Sequence, residues 1–324
     1  MNGLLDHRLI FVTGKGGVGK STVATALGLV AARGGRRTIV AELAGQDRVP
    51  GAFAREATPF VEVPLLDGLH AISIDPQLAM EEYLRVKTGA LGQALGSSRL
   101  FNALAMATPG MRELLSVGKA WELSQPRRRS EGTAPYDLAI VDLPAAGHGA
   151  AILRTPRSFH EMARVGPIAH QAGTIAQTIA DPAFTAVVAV TTAEEMPVNE
   201  TLWLRDALAA DGLTLSATIV NGLHERRFSD EEAERLHAAR RRVRSAAKRA
   251  ALDAALSQHA RQGAQHEQLR GLRDGLGAQA PLVELPFLYA ERLGPAELGL
   301  LADELERCLG PTGSRGLSTF SRYA

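Results

Sequence analysis

At 324 residues, with 45% hydrophobic and 22% charged side chains, the chain has the composition of a soluble globular protein with a large core: one big domain, or a domain carrying an inserted subdomain. A formal net charge of +1 excludes a global field that would recruit DNA or an anionic membrane, so no nucleic acid is expected and membrane contact only through a partner. The single cysteine, Cys308, excludes an intrachain disulfide and a thiolate metal cluster built from this chain alone. With no secretory leader before the first strand and no run near about 18 uninterrupted apolar residues, a cytoplasmic location is expected.

The first predicted element is a buried strand, Arg8 to Thr13. It runs into the loop GKGGVGKST, and an Ala- and Leu-rich helix from Ser21 to Arg33 follows, stopped by Gly34 and Gly35. Gly14, Gly19, Lys20 and Ser21 fit G-x-x-x-x-G-K-[ST] in the strand-to-helix context that the motif requires. Its glycines let the backbone amides of Gly14, Lys15, Gly16, Gly17, Val18, Gly19, Lys20, Ser21 and Thr22 curl around phosphate oxygens at a helix N-terminus. Lys20 then sits between the β- and γ-phosphates of ATP, and the Ser21 hydroxyl is a ligand for Mg²⁺.

Arg37 to Leu43 reads as a second buried strand and Leu69 to Ile74 as a third. The stretch from Pro76 to about Glu131 is helical in pattern and ends in the basic loop QPRRRSEG. Asp137 to Leu143 is again a strand, and LAIVDLPAAGHG puts Asp142 at its end before a Pro/Gly turn, where an acid holds Mg²⁺ through water. Ala186 to Thr191, the helix Asn199 to Ala210, and Ala217 to Asn221 continue the alternation. Phe228 to about Gln279 is helical, with a Ser cap and acids at its start and a strongly basic middle; its face is read as solvated, against a phosphate-, lipid- or partner-binding one. Leu282 to Leu285 is the last strand.

Strands alternating with helices predict an α/β fold of P-loop NTPase type: a mainly parallel sheet with helices on both faces, plus a helical insertion subdomain. The expected division is one domain over 1–310, its nucleotide core in 7–75, 135–225 and 280–309, its helical subdomain in about 76–133 and 228–279. A polar tail at 311–324 is expected to be disordered.

The lysine directly after the first glycine, Lys15, makes GKGGVGKST resemble the deviant Walker loop shared by ArsA-type, MinD- and ParA-type and nitrogenase-iron-protein ATPases. Of only five lysines in the chain, two stand in this loop. The resemblance implies a nucleotide-gated dimer in which Lys15 reaches the partner's nucleotide. Within that class the chain most resembles the ArsA-type ATPases, which include arsenite-pump ATPases and targeting factors for tail-anchored membrane proteins, and it is closest to a paired actinobacterial subgroup. Asp142 to His148, DLPAAGH, resembles their switch II, with Gly147 and His148 matching. PGMRELLSVGKAWEL resembles their helical-subdomain segment. TIVNGL puts Asn221 where the family contacts adenine, and ELPFLYAERLG resembles the late loop that closes over the base, with Pro286 and Phe287.

The resemblance therefore implies ATP binding and Mg²⁺-dependent hydrolysis, a homodimer or a heterodimer with a related chain, and either a protein client on the helical subdomain or support of membrane or envelope functions, rather than arsenite pumping. Leu100, Phe101, Leu104, Met106, Met111, Leu114 and Leu115 form an apolar stripe there, which also reads as plain core. In switch I the family's water-positioning aspartate falls on Ala44; Asp47, and behind it Glu42, are the carboxylates close enough to replace it. The cysteines of arsenite pumps and the C-x-x-C of targeting factors are missing, which disfavours metalloid activation and a zinc-clamped dimer. Two alternatives are a catalytically weak ATP-binding subunit of a heterodimeric pair, and a MinD- or ParA-like positioning ATPase.

Overall fold

Two β-strands with no exposed residue, Leu9–Thr13 (β1) and Leu138–Asp142 (β5), lie side by side at the centre of the sheet. The computed structural model describes residues 3–43, 47–96, 108–128, 134–163, 166–277 and 281–309, with the backbone alone over 87–96. The remaining strands are β2 (Thr38–Leu43), β3 (Val63–Leu66), β4 (Leu69–Ile74), β6 (Thr185–Thr191), β7 (Leu215–Leu223) and β8 (Leu282–Pro286), in the order β3-β4-β2-β5-β1-β6-β7-β8. Every neighbouring pair is parallel except β3 with β4. Near-continuous apolar runs such as LIFVT and TAVVAVT belong to strands covered on both faces, and that is where they lie.

Alternation along β1 divides the interior. Leu9 and Phe11 enter one hydrophobic cluster, and Ile10 and Val12 the other, on the opposite face. The second cluster is completed by α1 (Lys20–Arg33), the short α2 (Arg48–Ala52) and α10 (Pro295–Leu309). The first is covered by α4 (Met111–Leu123), α5 (Ala146–Ala163), α6 (Pro167–Ala180), α7 (Glu195–Ala210) and the end of α9 (Ala246–Leu276). Each fully buried Leu, Ile or Phe in these clusters contributes about 1.5–3 kcal/mol.

The stretch expected to stand outside the nucleotide core is partly woven into it. From α4, Val117, Ala120 and Leu123 are fully buried among strand residues, while α3 (Pro76–Gly96) packs on α4. Helices α8 (Asp230–Arg242) and α9 form a hairpin, with α9 packing on α7. At the start of α8 the expected cap is a full capping box: Ser229 accepts the Glu232 N–H, and Glu232 accepts the Ser229 N–H. Of the apolar stripe, Leu100, Phe101, Leu104 and Met106 lie outside the described residues, as do Ala44 and the segment 311–324.

Candidate functional site

The carboxyl ends of β1, β5 and β2 converge on one crevice, the place where open α/β sheets take their ligands. Gly14 leaves β1 with φ 143°, and a Cβ there would land on the Val190 carbonyl oxygen of the neighbouring strand. Gly17 and Gly19 also have positive φ, 88° and 93°, and a Cβ on Gly19 would land on the Asn221 amide. These constraints give the loop the curl that turns its amides and the start of α1 toward one open cleft of about 470 Å³. Its walls include Gly17, Gly19, Lys20, Ser21 and Thr22. The Lys20 ammonium donates to the Lys15 carbonyl at 3.1 Å; burial lowers its pKa, the charge of Asp142 opposes that, and Arg48 adds to it.

Beneath the loop, the Ser21 hydroxyl donates to Asp142 Oδ2 at 2.5 Å, while the buried Asp142 Oδ1 has no hydrogen-bond partner among the described residues. Burial pushes the Asp142 carboxyl up, against the pull of the Ser21 hydrogen bond and the Lys20 charge. A hydroxyl and a carboxylate with a spare oxygen, at the foot of a phosphate-type loop, fit a Mg²⁺ ion, which takes few protein oxygens.

Next to Asp142 on β2, in register with it, stands Glu42, 1% exposed. Its oxygens accept the backbone N–H groups of Arg48 at 3.0 Å and Val49 at 3.2 Å, so both are taken up in holding the start of α2. Burial pushes the Glu42 carboxyl up to about 7, with the two amide bonds acting against it. Above that pH the carboxylate accepts both amides; below it a proton occupies one acceptor oxygen. The Glu42 carboxyl carbon and the Arg48 and Val49 amides are expected to titrate together near pH 7 by NMR, and a Glu42 midpoint below pH 5 refutes that assignment.

Asp47, the other carboxylate considered, has φ 45° and lines a second cleft of about 490 Å³, together with Asp75, Arg112, Glu113 and His148. Gly147 and His148 lie in the first turn of α5, and His148 Nε2 is 3.9 Å from Glu113 on α4. The structure thus brings Asp47 and His148 to one cleft and Lys20 and Ser21 to another, with Glu42 between Asp142 and α2.

At the far end of the loop, Asn221 Nδ2 donates to the Val18 carbonyl at 2.9 Å. Pairing of β7 with β8 sets Pro286 opposite Leu223, and the half-exposed Phe287 ring lies 4.7 Å from that of His224 and 4.9 Å from that of Tyr289. Lys15 is not extended away from its own chain: its ammonium pairs with Glu200 of α7 at 3.2 Å.

A family model described as anion-transporting ATPase matches residues 7–171 and 160–306. The chain belongs to the anion-transporting, ArsA-type ATPase family. It is similar to ATPase BagA of Mycobacterium tuberculosis, 34% identical over 225 residues, covering 66% of this chain and 64% of that protein. ATPase get3 of Botryotinia fuckeliana is 29% identical over 180 residues, 53% of this chain and 50% of the relative, and ATPase GET3 of Candida glabrata 25% over 262 residues, 69% and 75%. The chain spans less than two thirds of the length of the first of these relatives and about half of the second. Membership bears out the family resemblance carried by GKGGVGKST and the α/β architecture it implied.

Sequence reasoning did not find Arg48, Arg292, Glu200 or His224. Arg48, at the start of α2, and Arg292, within ELPFLYAERLG before α10, both line the loop cleft, but neither is a fixed position of the phosphate-loop motif. Among the described residues, no helix is long and apolar enough to cross a membrane.

Proposed function

We propose that this ArsA-family protein binds Mg²⁺–ATP in the loop cleft and hydrolyses it, using the nucleotide state to open and close a dimer that handles a protein client. The carrying observation is the Ser21–Asp142 pair at 2.5 Å, with a buried Asp142 oxygen that has no partner among the described residues, under a Lys20-bearing loop. Loop amides and Lys20 hold the phosphates, and Ser21 and Asp142 hold the cation, Asp142 through water. Mg²⁺ bound there neutralises charge building on the β- and γ-phosphates. Asn221, Pro286 and Phe287 border the base end.

For the dimer, the support is an exposed stripe on α7, Met196, Asn199 and Trp203, beside the Lys15–Glu200 pair. Exposed large apolar side chains next to a lysine that the family resemblance carries to a partner's nucleotide support this as the facing surface. A homodimer and a pair with a related chain both use it.

The client reading rests on a groove of about 290 Å³ between α3, α4 and α6, lined by Met80, Tyr83, Met111, Leu114, Leu115 and Ile175. Helix α4 turns Met111, Leu114 and Leu115 to the groove, and Arg112, Glu113 and Ser116 to the cleft that holds Asp47 and His148. One rigid helix therefore touches both the switch segments and the groove, which suits transmission of nucleotide state.

One observation favours low turnover: Glu42 spends both oxygens on α2, and Asp47 lies in the neighbouring cleft. A subunit that binds ATP while its partner hydrolyses it is the second reading. The test is calorimetric binding of ATP and steady-state phosphate release by the purified protein, with Mg²⁺ and with EDTA. Mg²⁺-dependent release establishes a self-sufficient ATPase; tight binding without release establishes the second reading; absence of nucleotide binding overturns both.

A further inference from the structure

The loop cleft holds more positive charge than its motif explains. Among the described residues, three cations line it, Lys20, Arg48 and Arg292, and no carboxylate does. Arg48 is the unusual one. Its backbone is pinned, since its N–H and that of Val49 are held by the buried Glu42, and Val49 is 1% exposed. Its side chain has no such anchor: among the described residues the guanidinium takes no hydrogen bond and no ion pair. By contrast Arg33, Arg128 and Arg273 all pair with carboxylates.

Arg48 is also close enough to the Lys20 ammonium and the Asp142 carboxyl for its charge to act on both. Asp142, bonded to Ser21 beneath the loop, offsets part of the repulsion between these two cations, and an anion in the cleft itself relieves the rest. The loop amides face the same space, so the anion is a phosphate chain.

We propose that Arg48 is a phosphate-contacting residue, a guanidinium carried in cis by the segment after β2 that grips the terminal phosphate of a bound nucleoside triphosphate. This deepens the Mg²⁺–ATP reading and rests on it. Glu42 is then a positioning residue, because its carboxylate fixes the backbone from which Arg48 reaches. The planar five-donor head suits the tetrahedral oxygens of a γ-phosphate, which ADP lacks. The segment's position thereby becomes sensitive to whether that phosphate is present.

The test compares Arg48→Ala with wild type in calorimetric binding of a non-hydrolysable ATP analogue and of ADP, both with Mg²⁺, beside a thermal melt. The variant is expected to bind the ATP analogue at least about 10-fold more weakly, the effect of losing a charge-assisted hydrogen bond, with ADP affinity within about threefold. The melting temperature should not move, because the side chain anchors nothing. Equal losses for both nucleotides, or no loss for either, overturn the proposal. A wild-type protein that binds neither nucleotide overturns the Mg²⁺–ATP reading instead.

Discussion

Replacing Arg128 by Met is expected to lower the unfolding free energy by about 3–5 kcal/mol, as measured by urea denaturation at pH 8. The Arg128 side chain is 1% exposed and forks between two carboxylates, 2.6 Å from Glu62 Oε1 and 2.9 Å from Glu122 Oε1. Glu62 also accepts the Tyr136 hydroxyl at 2.7 Å, and Glu122 pairs with Lys119, which pairs in turn with Glu82. This chain of charges ties the end of α4 to the foot of β5. Methionine fills the space but leaves Glu62 and Glu122 facing each other's charge with one cation fewer. Burial alone would raise the Glu62 pKa, yet the Arg128 and Tyr136 hydrogen bonds outweigh it and hold the carboxyl below its ordinary value. A carboxyl depressed in the folded state adds stability above its unfolded pKa, and that is lost as pH falls through the folded value. The deficit of the variant should therefore shrink below about pH 4.5, and adding Glu122→Gln should recover part of it at pH 8. A cost under about 1 kcal/mol at pH 8 means that the network is worth no more than an exposed ion pair.

Arg128 also shows where reading the sequence runs out. QPRRRSEG reads as a solvated basic loop because nothing in the string distinguishes its second arginine; the Arg127 side chain is exposed and that of Arg128 is not. The partners lie 66 and 6 positions away, and only the folded path joins them. By contrast, β1, the loop and α1 are legible because strand, glycines and helix are contiguous and each local preference agrees with the next. The strand before Asp142 is legible for the same reason. Strand β3 escaped although its signal is present: Asp67–Gly68 joins it to β4, with Gly68 at φ 74°, a two-residue hairpin of the Asp-Gly kind. Val63–Leu66 is too short, and too broken by Pro64, to read as a strand from apolar pattern alone. Helices α5 and α6 escaped because Gly147, Gly149, Pro156 and Gly173 interrupt the pattern, although packing against α4 overrides those weak propensities.

Asp142→Asn should separate stability from nucleotide chemistry by moving them in opposite directions. In the protein without nucleotide, burial makes the Asp142 charge costly, the largest influence on its raised pKa. An asparagine keeps the shape and can still accept the Ser21 hydroxyl, without the charge. A carboxyl whose pKa is raised on folding weakens stability as pH climbs from the unfolded pKa through the folded one, and the loss persists above it. The melting temperature of the Asn variant should accordingly exceed wild type at pH 8, and the gap should narrow as pH falls through the raised folded pKa and close below about pH 4, as the unfolded side chain is protonated too. Mg²⁺-dependent nucleotide affinity or turnover should fall by about 10–100-fold, because the carboxylate that orients the cation's water is gone. Lys20→Ala, which removes the phosphate-facing charge, provides the benchmark for loss at this site. An Asn variant that is less stable than wild type at pH 8 contradicts the burial argument. One that retains full Mg²⁺-dependent binding and hydrolysis removes Asp142 from the cation site, leaving the Ser21 hydrogen bond as its role.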